Sequence, residues 1–74
     1  MPNFHIFYHG DLQYSANSIE YFTDHVMFDG NPIITVSLEN LQTNDVTILN
    51  HEEEDITSLV IGQIIHLQVF GHHT

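Results

Sequence analysis

A chain of 74 residues without a single Lys or Arg cannot build its fold on salt bridges between permanent charges. Ten Asp and Glu and seven His stand in place of the usual mixture, for a formal net charge of −10 at pH 7. Average usage would put roughly eight or nine Lys and Arg in a chain of this length. Each pair of carboxylates 10 Å apart in water repels by only about 0.4 kcal/mol, and salt weakens that further. Summed over the molecule, the repulsions form a negative field that costs stability and steers basic partners toward it.

Apolar burial must therefore do the folding. Hydrophobic residues make up 42% of the chain, with five Phe and three Tyr. That is too rich for a disordered acidic tail, so a folded chain is expected. Residues 1–74 are read as one small domain, which buries about 60% of its unfolded surface and has modest stability as a monomer. With no Cys there is no disulfide framework, no Cys-based zinc site and no thiol nucleophile.

The opening Met1 to His9 lacks the basic region and long apolar stretch of a secretory signal. The most apolar stretch, Leu59 to Phe70, is interrupted by Gly62, Gln63, His66 and Gln68 and is far short of the roughly 20 residues needed to span a bilayer. Without basic residues there is no attraction to anionic lipid or to nucleic acid phosphate. The expectation is a soluble, cytoplasmic protein that contacts neither membrane nor nucleic acid directly. For a viral protein the compartment is the host cytoplasm.

Along the chain, Phe4 to His9 is aromatic and β-branched and ends at Gly10-Asp11, which predicts a strand. Leu12 to Ser15 is its expected partner across that turn. Residues 17–28 read two ways. Asn17 and Glu20 have capping-box spacing, with Ile19, Phe22 and Val26 on one helical face, yet Tyr21, Phe22, Thr23, Val26 and Phe28 prefer strands. Asp29-Gly30 predicts a type I′ hairpin turn. Pro32 to Leu38 alternates as a strand, Gln42 to Asp45 reads as a turn, and Val46 to Leu49 as another strand. Val60 to Phe70 reads as a final strand with Ile65, Leu67 and Val69 on one side and a bend at Gly62.

The expected fold is mainly β: a small antiparallel sheet or partly open barrel of four or five strands. One short helix is allowed, over Asn17–Met27 or Glu52–Leu59, which gives an α+β alternative.

The densest charge feature is His51-Glu52-Glu53-Glu54-Asp55. Its plain reading is a solvated loop or a first helical turn, capped by Asn50 with Glu53 at the box position. Its functional reading is a contact surface for a basic partner. A calcium loop is disfavoured, because the alternating spacing and central Gly are missing.

The His residues give no metal spacing. His5 and His9, four residues apart on one side of a strand, lie about 13 Å apart. His72 and His73 point to opposite faces of an extended backbone, while His25, His51 and His66 are isolated in sequence. Ser15, Ser18, Ser37 and Ser58 sit in no nucleophile motif, and a phosphate-cradling loop is missing. No catalytic residue, metal or cofactor is expected, and the chain reads as a binding protein rather than an enzyme.

The leading expectation is an acidic inhibitor that occupies a basic surface of a nucleic-acid-handling protein in place of phosphates. In size, acidity and lack of cysteine the chain is similar to compact virus-encoded inhibitors of nucleases, CRISPR complexes and restriction enzymes, a likeness of composition. The expected contact centres on Glu52, Glu53, Glu54 and Asp55. Asp45 and Glu39 extend it if the strands bring them to the same end, and Tyr8, Tyr14 and Tyr21 are candidate rigid contacts.

The absence of Lys and Arg also fits avoidance of trypsin-like cleavage and of Lys modification. One alternative is a homo-oligomer whose acidity serves solubility, assembled through Val60–Phe70 as an exposed edge strand without protective Lys. A second alternative is a His-dependent metal-binding or pH-responsive protein.

Overall fold

A computed structural model describes residues 1–71 of the chain. It is mainly β, with six strands in two three-stranded antiparallel sheets and two helices. The strands are thus split between two sheets, with one more strand than expected.

The first sheet has the order β2-β1-β6, built from β1 (Phe4–Tyr8), β2 (Asp11–Ala16) and β6 (Val46–Asn50). His9 and Gly10 join β1 to β2 with φ of 50° and 85°, the double positive φ of a type I′ turn. His9 therefore lies in the turn rather than on the strand where His5 stands.

The second sheet has the order β3-β4-β5, from β3 (Ile19–Tyr21), β4 (His25–Phe28) and β5 (Asn31–Ser37). Asp29 and Gly30 connect its last two strands with φ of 56° and 63°, the expected I′ hairpin. Residues 17–28 accordingly hold two strands, β3 and β4, joined through Phe22 to Asp24, and the helix over Asn17–Met27 does not form. Val26 and Phe28 are fully buried at alternating positions, so the strand preference of this segment coincides with its core-facing period. Pro32 is tolerated because the register shifts between Met27 and Phe28, leaving Pro32 to Ile34 outside the ladder.

β5 leads directly into α1 (Leu38–Gln42), whose first turn is capped by the Ser37 hydroxyl accepting from Asn40 N–H at 3.1 Å. α1 buries Leu41.

The larger departure is at the C-terminal end. Val60–Phe70 is not a strand: it belongs to α2 (Thr57–Phe70), which also shares only its first turn with the expected Glu52–Leu59 helix. Its Val and Ile residues favour strand locally, but Val60 and Ile64 fit one helical face and are completely buried against the sheets. Gly71 ends the helix in the left-handed region at φ 78°, its N–H bonding to Leu67 C=O at 2.7 Å. The proposed edge strand for assembly is thereby removed. Among the described residues no helix is long and apolar enough to cross a membrane.

The core gathers Ile6, Ala16, Val26, Phe28, Val36, Leu41, Val46, Ile48, Val60 and Ile64 from both sheets and both helices. No charged side chain is buried among the described residues. With no permanent cation available, burying a carboxylate would leave its charge uncompensated.

Candidate functional site

The acidic run forms a tight turn, and Asn50 builds it. Its side-chain oxygen accepts from the N–H groups of Glu52 and Glu54, both at 2.9 Å. Its carbonyl accepts from Glu53 N–H and its own N–H donates to Glu54 C=O, again both at 2.9 Å. Glu53 sits at φ 63°. This is a turn closed by a left-handed residue, a position that favours Gly. A first helical turn through Glu53 is thus excluded: Asn50 accepts from the following N–H groups as expected, but holds a turn rather than a helix.

The chain then returns along β6, where Asp55 pairs with Leu49 and Ile56 N–H donates to Ile48 C=O at 2.9 Å, covering that edge of the sheet.

The four carboxylates of this turn do different things. Asp55 accepts from Thr57 N–H at 2.9 Å, and bonds from Thr57 hold its carboxyl below the usual range. It closes a tight turn into the first residue of α2, whose cap position, Ile56, brings no side-chain acceptor. Glu54 accepts from the Asn50 side-chain amide at 2.8 Å. Among the described residues no hydrogen bond or ion pair holds the exposed carboxylates of Glu52 and Glu53, so these two are free to meet a partner.

Glu53 also borders a hollow of about 210 Å³ on the outer face of the first sheet, with His5, Phe7, Leu12 and Leu49. Sheet register alone creates this neighbourhood, since His5 pairs with Leu49 and Phe7 with Leu12.

Asp45 and Glu39 do not join the turn. Asp45 precedes the first residue of β6 and the acidic turn follows the last. Five residues at about 3.3 Å each separate the two ends by about 17 Å. Asp45 accepts from the Thr43 hydroxyl at 2.9 Å and lies 3.7 Å from His9 Nε2. Glu39 sits at the start of α1, its carbonyl accepting from Thr43 N–H at 3.0 Å. Asp45 therefore belongs to the opposite end of the first sheet, and Glu39 to the helix that follows β5 of the second.

The His residues are dispersed. His5 Nδ1 lies 2.9 Å from the Ser15 hydroxyl, and His25 Nδ1 lies 2.7 Å from Asp24 while its ring stacks on Phe22 at 4.5 Å. His51 is exposed in the acidic turn, and His66 meets the Phe70 ring at 4.6 Å. Among the described residues no three His, Asp or Glu side chains gather where a metal could bind. His72 and His73 lie outside the described residues.

Of the three tyrosines, Tyr8 and Tyr14 line an open cleft of about 390 Å³ between the sheets, floored by Ile6, Val36 and Val46. Tyr14 donates to Asp29 at 2.8 Å, and Asp29 also accepts from the N–H groups of Asn17 and Ser18. These bonds, the Asn17 N–H first, hold the Asp29 carboxyl below its ordinary value and link the two sheets. Tyr21 packs against the core instead, and burial raises its hydroxyl pKa.

Compared with known proteins, the chain matches no protein-family model, no curated protein and no solved structure.

Proposed function

We propose that this chain is an acidic binding protein that occupies a basic surface of a nucleic-acid-handling protein and inhibits it. The observation that carries the reading is an uncompensated surface: nine of the ten carboxylates are exposed, and no Lys or Arg offsets them. Such a surface presents to a phosphate-binding groove the charge that the groove is built to receive.

Glu52 and Glu53 are the centre of the contact. Their carboxylates are free, and the adjoining hollow of Phe7, Leu12 and Leu49 suits the aliphatic stem of a Lys or Arg whose head meets Glu53. Glu54 contributes charge at the edge, whereas the Asp55 carboxylate is engaged by Thr57. Nucleases, CRISPR complexes and restriction enzymes are the target classes that fit, as does an origin in a virus that must disarm them.

The test is affinity capture from lysate of the source cell at physiological and high salt, with and without competing DNA. The reading expects a basic nucleic-acid enzyme that is released by salt or by DNA. Retention of the same proteins under both challenges would contradict it.

A further inference from the structure

We propose that a second copy of this chain docks on the exposed face of α2, the two helices packing antiparallel about Gly62 and Ile65. This helix is apolar on more than its buried side. Val60 and Ile64 are fully buried, yet Leu59, Ile65, Val69 and Phe70 stand 59%, 40%, 67% and 61% exposed. Its polar residues Gln63, His66 and Gln68 are scattered rather than gathered on the outer side, and exposed apolar side chains grouped in this way normally mark a contact surface.

Charge selects the occupant. All ten carboxylates lie outside residues 57–70, so a basic partner finds nothing on α2 to pair with. Two copies each carrying −10 repel wherever their acidic surfaces approach. They can meet where both faces carry no carboxylate, with the acidic turns directed elsewhere.

Shape favours a self-complementary pairing. Ser58, Gly62, Ile65 and Val69 follow one another at spacings of four, three and four residues, which keeps them on one seam opposite Val60 and Ile64. About a two-fold axis, antiparallel helices set Gly62 against the partner's Ile65, and Ser58 against the partner's Val69. A small residue thus faces a β-branched one at every level. Nothing lies within 4 Å of where a Cβ on Gly62 would stand, so the space is open for an incoming side chain. The same patch serves both copies, as a two-fold dimer requires.

Size sets the strength. A helix of 14 residues is about 21 Å long and about 10 Å wide. Its face falls well short of the roughly 800 Å² per partner of a standard stable interface. The dimer is therefore of the weak, concentration-dependent class.

Sedimentation velocity on the full chain, from about 10 µM to about 1 mM, reads the equilibrium across the range expected of weak interfaces. The expected result is a shift from 8.5 kDa toward twice that mass, strengthened by added salt as like-charge repulsion is screened. Val69→Glu, an exposed substitution, should weaken association at least tenfold by placing like charges in the seam. Gly62→Ala should also weaken it, while leaving the monomer at least as stable to heat, which separates lost docking from lost folding.

Monomer throughout the range would overturn the proposal and leave the face to an apolar partner of another kind. A dimer that salt weakens, or that both variants leave intact, would overturn it as well. Because salt acts oppositely on contact with a basic protein, these outcomes are independent of the proposed inhibitory role.

Discussion

Residues 51–55 and α2 adjoin in the chain and share almost no chemistry. The first is a five-residue turn holding four carboxylates, shaped by hydrogen bonds that its backbone N–H groups donate to Asn50. The second is a 14-residue helix with no carboxylate, held by apolar burial of Val60 and Ile64. Asp55 stands at their boundary and serves both, as a negative charge at the surface and as the side chain that receives Thr57 N–H. The difference teaches that this small surface is segregated. Charge is dense in the turn, while α2 exposes Leu59, Ile65, Val69 and Phe70 without a carboxylate among its own residues. Each region suits a different contact, and salt should move the two contacts in opposite directions.

The largest effect expected from breaking this comparison lies inside α2. Ile64→Ala should cost about 3 kcal/mol, whereas Val69→Ala on the opposite face should cost less than about 0.5 kcal/mol. Urea denaturation of both variants checks it, and equal losses would mean that the outer face is already packed within one chain.

In the turn, Glu53→Gly should stabilise the fold by about 1 kcal/mol, because Glu53 occupies a left-handed conformation at φ 63°. The same change removes a free carboxylate and should weaken partner binding, so stability and affinity move oppositely. A destabilised variant in the melting curve would refute the strain.

Gly62→Ala, with open space around the new methyl group, should raise monomer stability by up to about 1 kcal/mol through helix propensity alone. Thermal melts at low concentration, where the monomer dominates, measure it.

The smallest effect is one of pH. Asp29 and Asp55 have carboxyls lowered from 3.8 by their hydrogen bonds, so they bind protons more readily unfolded than folded. Their stabilisation is complete above the unfolded value and is lost as pH falls below 3.8 through the folded value. Asp29→Asn should flatten this acid limb. An unchanged limb in denaturation from about pH 5 to about pH 2.5, a range that brackets the ordinary carboxyl value, would contradict it.

Much of the β architecture was legible in the residues because its signals are local. Asp29-Gly30 specified a I′ turn, Gly10 marked the first hairpin, and Pro32 stands second in β5, outside the ladder, where its missing N–H does no harm. The C-terminal helix was hidden by its own composition. Val60, Ile61, Ile64, Ile65 and Val69 prefer strands, and Gln63, His66 and Gln68 are spread around the helix, so no polar face reveals its period. Two signals pointed the other way: the length of the segment, beyond an ordinary strand, and Gly71 just past its end.

The candidate site was legible as charge but not as geometry. Sequence spacing identifies Glu52 to Asp55, yet it cannot reveal that Asp55 accepts from Thr57 N–H or that Asn50 holds Glu54. The length of β6 separates Asp45 from the turn, α1 carries Glu39 away on its own element, and sheet register brings Phe7, Leu12 and Leu49 together beside Glu53 through pairings distant in sequence.

The most direct measurement sets two variants side by side, Glu52→Lys/Glu53→Lys/Glu54→Lys and Val69→Glu, and titrates each against the captured basic partner at physiological salt. The account predicts that the triple reversal loses about 100-fold or more in affinity, close to 3 kcal/mol, while Val69→Glu binds as the native chain does. Equal losses in both variants, or full affinity in the triple reversal, would contradict the division of this surface into a charged contact and an apolar one.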